Sequence, residues 1–148
     1  MSEHATVTLT RQSGYQFLVD FGPAIAQLAV DEPSPLGEGA GPAPDHLLLA
    51  AVANCLSASL VFALQKFKQD PGPLKATATA TTGRNQDKRL RITDIQVQLD
   101  LGRPAAELEH LDRVLAQFEE FCTVSMSVRQ GIAIGIQVRD GEGAVLKG

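Results

Sequence analysis

The chain of 148 residues holds two cysteines, and each sits in an unusual stretch. Cys55 lies in the middle of LLLAAVANCLSASLVFAL, the most apolar segment, and Cys122 opens CTVSMSV after an acid-rich amphipathic pattern. Sixty-seven positions separate them, so any chemistry they share has to be created by the fold. The thiolate, not the thiol, is the nucleophile in cysteine chemistry. Among apolar neighbours a thiol keeps its proton, so a reactive Cys55 requires a cation close by. Two cysteines are too few for a zinc site without histidines at ligand spacing, and His4, His46 and His110 show none. No metal and no cofactor is implied.

The elements that must position these thiols can be read from periodicity. Residues 5–10 and 15–21 read as strands around a turn at Gln12, Ser13 and Gly14, and residues 24–30 as a third strand. The Pro- and Gly-dense stretch DEPSPLGEGAGPAPD reads as an ordered loop that delivers the chain to a helix. That helix runs from Pro44 or Asp45 to Lys68. Pro44 suits its first turn, Asp45 complements the helix dipole, and Asp70-Pro71-Gly72-Pro73 stops it.

Residues 74–82 alternate and are Thr-rich, a strand signal. Residues 90–101 alternate at Ile92, Ile95, Val97, Leu99 and Leu101, with a phase slip at Thr93-Asp94 that reads as a bulge. Pro104 opens a second helix to about Phe121, striped by Leu108, Leu111, Val114, Leu115 and Phe118. A short helix over 123–130 and a strand over 132–138 complete the order. The class is α+β, in one domain over residues 1–148, with a sheet of about six strands.

The run 47–64 is apolar on every side. One sheet and one helix cannot cover it in a chain of this size, which predicts a homodimer that supplies the missing wall. Its Asn54, Ser57, Ser59 and five alanines dilute the apolarity, so it reads as a core helix and not a membrane span. With 44% hydrophobic and 20% charged residues, a net charge of −4 and scattered basic groups, the chain carries no nucleic-acid footprint. The N-terminus has no apolar signal region, and a cytoplasmic location is expected, where thiols stay reduced unless they do chemistry.

The stretch PSPLGEGAGPAPDHLLLAAVANCLSASL, with Cys55 eleven residues after Pro44, followed later by CTVS, resembles the OsmC/Ohr family. The resemblance implies an OsmC-like fold, an intertwined homodimer whose sheets wrap central Cys-bearing helices, with active sites at the subunit interface. It implies thiol-dependent reduction of organic hydroperoxides, with a small hydrophobic peroxide as partner. Cys55 would be the peroxidatic thiol, Cys122 the resolving thiol, and a dithiol the reductant. The family's activating Arg corresponds to Arg11, with Arg129 and Arg84 as weaker alternatives, and its carboxylate to Asp45, where Glu is usual.

Besides Asp45 in place of Glu, one geometric constraint and a second departure bear on this. Ten helical residues span about 15 Å, so Asp45 cannot reach Cys55 along its own straight helix. Many members have Pro where this chain has Thr123.

Each residue also has an ordinary role. Cys55 and Cys122 would serve as small core hydrophobes, Asp45 as a helix-start carboxylate, His46 as a first-turn residue and Arg11 as a strand-end charge. Asn54 and Ser57 would satisfy helix or dimer contacts. The rival function is a non-catalytic dimer that binds a small hydrophobic ligand at the subunit interface.

Overall fold

The computed structural model describes residues 3–148 and is a mixed α+β fold. It comprises two compact units, Met1–Asn54 with Gly72–Gly102, and Cys55–Pro71 with Arg103–Gly148.

In the first unit, β1 (Thr8–Ser13), β2 (Gln16–Asp20) and β3 (Leu28–Val30) form an antiparallel sheet in that order. Ser13 pairs with Gln16 across a tight turn at Gly14 and Tyr15, and the left-handed φ of 51° at Gly14 is a conformation that suits glycine. The third strand is shorter than the 24–30 expected, beginning at Leu28.

The loop that follows is ordered around Asp31, which is 4% exposed. Its Oδ1 accepts the Glu32 N–H at 2.8 Å, and its Oδ2 accepts those of Glu38 and Ala40, both at 3.1 Å. Three N–H donors, led by Ala40, hold the carboxyl below its ordinary pKa against the opposing effect of burial. Gly37 and Gly41 permit the loop to fold this tightly, because a Cβ at Gly37 would strike Glu32 and Asp31 and one at Gly41 would strike Ala29.

The loop feeds α1 (Pro44–Gln65), whose first part lies in this unit. His46 Nδ1 accepts the Ala43 N–H at 3.0 Å, so a side chain in the first turn satisfies a donor at the helix entrance.

β4 (Lys75–Arg84) and β5 (Leu90–Asp100) make a long hairpin. Ala76, Ala78 and Ala80 pair with Leu99, Val97 and Ile95 on its half-buried face, and Thr77 and Thr79 pair with Gln98 and Gln96 on the other. The register slips between Thr81 and Thr82, whose partners are Asp94 and Ile92, which leaves Thr93 as the extra residue. This is the bulge that the broken alternation predicts.

In the second unit, α1 continues to Gln65 and the chain leaves it through Lys68, at φ 55°. The helix expected over 104–121 is broken into a 3-10 turn at Ala105–Glu107, α2 (Leu111–Gln117) and a second 3-10 turn at Phe118–Phe121. Leu108 is extended (φ −114°, ψ 126°) and His110 left-handed (φ 60°), so the helix cannot run through them.

Burial of Leu60, Ala63, Leu64, Leu108, Val114, Phe118 and Cys122 builds this unit's core, each large aliphatic contributing about 1.5–3 kcal/mol. His110 stacks on Phe67 at 4.7 Å, and Gln69 Oε1 accepts the Glu109 N–H at 3.0 Å, which tie the segment before α2 to the end of α1. α3 (Thr123–Gln130) follows, then β6 (Val138–Arg139) paired with β7 (Val145–Lys147).

Two expectations are corrected here. In place of one sheet of about six strands, the described strands form sheets of three, two and two. In place of a strand over 132–138, only Val138 and Arg139 are paired. Ile132, Ile134 and Ile136 stand 62%, 83% and 63% exposed, an alternating apolar row that the described residues leave uncovered.

By length and composition α1 is long and apolar enough to cross a membrane, and 28% of its most apolar window is buried within the chain. The helix is apolar all round, as expected, and its own chain covers a minor part of it.

A two-thiol candidate site

Cys55 and Cys122 fall in the same unit, both as free thiols, with Cys122 fully buried and Cys55 partly exposed. Cys55 is carried by α1. Cys122 is the N-cap of α3, with an extended backbone (φ −85°, ψ 95°), and its Sγ accepts the Ser125 N–H at 3.3 Å. The Met126 N–H reaches the Cys122 carbonyl at 3.1 Å and closes the first turn. A sulfur thus takes the place that a Ser or Asp oxygen usually holds at a helix start.

The two thiols lie close enough to bias each other's protonation, toward a neutral Cys55 and a negative Cys122. Burial pushes the Cys55 thiol above its ordinary pKa, and Cys122 adds to the shift. The N–H groups of Val124 and Thr123 oppose it. Burial acts on Cys122 in the same sense, but there it is outweighed by the Ser125 hydroxyl, the Cys55 thiol, the Ser125 N–H and the Ser59 hydroxyl. The net shift of Cys122 is downward. The first turn of α3 therefore presents N–H groups toward both sulfurs, at the end of the helix where negative charge is favoured.

Ser59 and Ser125 are the site residues that sequence reasoning passed over. Both are buried, at 6% and 8% exposure. Ser125 Oγ has no partner at strict hydrogen-bond geometry, although it lies near enough to Cys122 to favour a negative sulfur. The spacings held a signal for each. Ser59 follows Cys55 by four residues, which places both on one helix face. Ser125 follows Cys122 by three, the separation of a capping pair.

The remaining sequence candidates have other partners. Arg11 belongs to the first unit, and its Nε donates to the Gly14 carbonyl at 2.8 Å. Asp45 is also in the first unit, where its Oδ1 accepts the His46 N–H at 2.9 Å. Arg84 donates to the Lys88 carbonyl at 2.7 Å within the β4–β5 turn. Arg129 shares the cysteines' unit, with its Nη2 at 3.6 Å from Glu119 Oε2.

Near the thiols in sequence, Phe62 and Phe121 meet edge to face at 5.7 Å, both about half exposed. Lys66 Nζ lies over the two rings at 4.7 and 4.3 Å. No group of three or more metal-ligating side chains occurs among the described residues.

Comparison with known proteins narrows the reading. The family described as OsmC-like protein matches residues 37–137. An OsmC-like protein from Mycoplasma pneumoniae superposes with a TM-score of 0.70 at 15% identity, covering 89% of this chain and 91% of its own. An organic hydroperoxide resistance protein OsmC from Legionella pneumophila gives 0.66 at 17%, covering 86% and 92%. The organic hydroperoxide resistance protein OhrB of Bacillus subtilis gives 0.62 at 16%, covering 84% and 90%. No curated protein matches the chain.

Proposed function

The chain belongs to the OsmC-like family, and on that premise we propose that it is a thiol-dependent peroxidase that reduces organic hydroperoxides through Cys55 and Cys122. The observation that carries this reading is the placing of two free thiols in one compact unit, one partly exposed and one buried, near enough to bias each other's protonation. The structural relatives named for organic hydroperoxide resistance support the same chemistry.

The Cys55 thiolate attacks the O–O bond, the alcohol leaves, and Cys55 becomes a sulfenic acid. Cys122 then displaces hydroxide, which leaves as water, and forms a disulfide that a dithiol reductant returns to two thiols.

Two further assignments complete the reading. Burial keeps the proton on Cys55, so its attack on peroxide needs a cation. Arg11, partnered by Asp45, is assigned that part on the strength of the family resemblance. The apolar surface of α1 and the row Ile132, Ile134 and Ile136 are assigned to a homodimer contact, which makes α1 a core helix of a cytoplasmic protein.

The test is consumption of tert-butyl hydroperoxide by purified protein with excess dithiothreitol. Cys55→Ser is expected to abolish consumption. Unchanged consumption in the variant would overturn the role of Cys55, and wild-type consumption no faster than dithiothreitol alone would leave the non-catalytic binder in its place.

A further inference from the structure

The peroxidase reading gives Cys122 the task of closing the disulfide, yet Cys122 is fully buried, and a buried sulfur in apolar surroundings is a poor anion. Its surroundings are not apolar. Cys122 caps α3 and takes the Ser125 N–H at 3.3 Å. Ser125 is itself buried, and its hydroxyl oxygen has no strict hydrogen-bond partner. A buried hydroxyl without a partner is costly unless it serves a second state of its neighbour. Ser59 adds a second buried hydroxyl, from the same helix face as Cys55. One N–H thus meets the sulfur, and two buried hydroxyls lie near enough to favour negative charge on it.

The geometry points to Ser59 and Ser125 as positioning residues that hold the Cys122 sulfur as an anion, aimed at Cys55, for disulfide closure. This rests on the peroxidase reading. In the step they serve, the Cys122 lone pair forms the S–S bond to the Cys55 sulfenic sulfur, and the Cys55 S–O bond breaks. Hydroxide leaves and takes a proton to become water. The Cys122 sulfur is oxidised to the disulfide level and the Cys55 sulfur is reduced to it. The oxidising power came from the hydroperoxide in the preceding step.

The unpartnered Ser125 hydroxyl is free to turn its hydrogen to the anion at the moment the charge resides there. The downward shift of Cys122 agrees with this arrangement. The titratable group that faces Cys122 from α1 is Cys55. On its own segment the charged groups are Glu119, Glu120 and Arg129, of which Glu119 and Arg129 pair with each other, and none of the three figures among the main influences on Cys122.

The test uses the full chain and three variants, Ser125→Ala, Ser59→Ala and Ser125→Thr, with unfolding temperature as the check on folding. Two readouts separate this inference from the function it rests on. The first needs no peroxide: thiolate ultraviolet absorbance is titrated against pH in a Cys55→Ser background. Ser125→Ala is expected to raise the Cys122 midpoint by about one unit, equal to the loss of about tenfold in anion stability, and Ser125→Thr to restore it.

The second is single-turnover reaction with one equivalent of tert-butyl hydroperoxide. Ser125→Ala and Ser59→Ala are each expected to slow disulfide closure about tenfold, with a dimedone-trappable sulfenic acid accumulating at Cys55. Folded variants with the wild-type titration midpoint and closure rate would overturn the inference. If no variant, wild type included, consumed peroxide, the function would fail, and the absorbance titration would still decide whether the hydroxyls hold the sulfur.

Discussion

At Cys55 the fold and the proposed chemistry pull in opposite directions. Burial and the neighbouring Cys122 favour the neutral thiol, whereas attack on a peroxide requires the anion. The raised pKa means that the thiolate fraction grows as pH rises and is scarce below the ordinary thiol range, so peroxide consumption should climb with pH. If Arg11 supplies the compensating charge, Arg11→Ala should move the rising limb of the kcat/KM profile to higher pH by about one unit, since it removes one nearby positive charge. An unmoved limb would take Arg11 out of the account. The two cysteines were legible as a pair because they are the only two thiols in the sequence. Ser59 and Ser125 were not, because serine is common in helices and a hydroxyl gains meaning only when its burial and its target are known. Sulfur as an N-cap also lies outside the usual capping vocabulary, so CTVS read as a motif without a geometry.

Among the elements, the loop 31–43 shows how a sequence without periodicity still forms a definite structure. One buried carboxylate organises it by accepting three N–H groups. Since folding depresses the Asp31 pKa, its stabilising effect is complete above the ordinary carboxyl value of 3.8 and is lost as pH falls through the lower folded value. Asp31→Asn should therefore lower the unfolding temperature at neutral pH and flatten its dependence on pH below about 4, as thermal melts across that range would show. Equal slopes for both proteins would contradict the role given to Asp31. The hairpin β4–β5 and its bulge were readable because strict alternation makes one slipped residue conspicuous. The break of the second helix was not. Its apolar stripe continues through Leu108 and Leu111, and the left-handed turn at His110 leaves the periodicity intact while interrupting the backbone. Strand pairing was the least legible part, since which strands meet is decided by contacts far apart in the chain.

For the molecule as a whole, the uncovered surface is the main prediction. A helix with 28% of its apolar window buried, and an extended segment showing Ile132, Ile134 and Ile136 to solvent, leave more apolar surface than a single copy comfortably exposes. Sedimentation should give the mass of two chains, and Ile134→Asp should shift the equilibrium toward one chain. A wild-type monomer at micromolar concentration would contradict the dimer. The central claim is that Cys55 and Cys122 act as one redox pair, and intact-protein mass measured after one equivalent of an organic hydroperoxide tests it most directly. The account predicts that each chain loses the mass of two hydrogens, that dithiothreitol restores them, and that neither Cys55→Ser nor Cys122→Ser shows the loss. An unchanged mass would contradict it, as would a chain that gains oxygen at Cys55 while Cys122 remains a thiol.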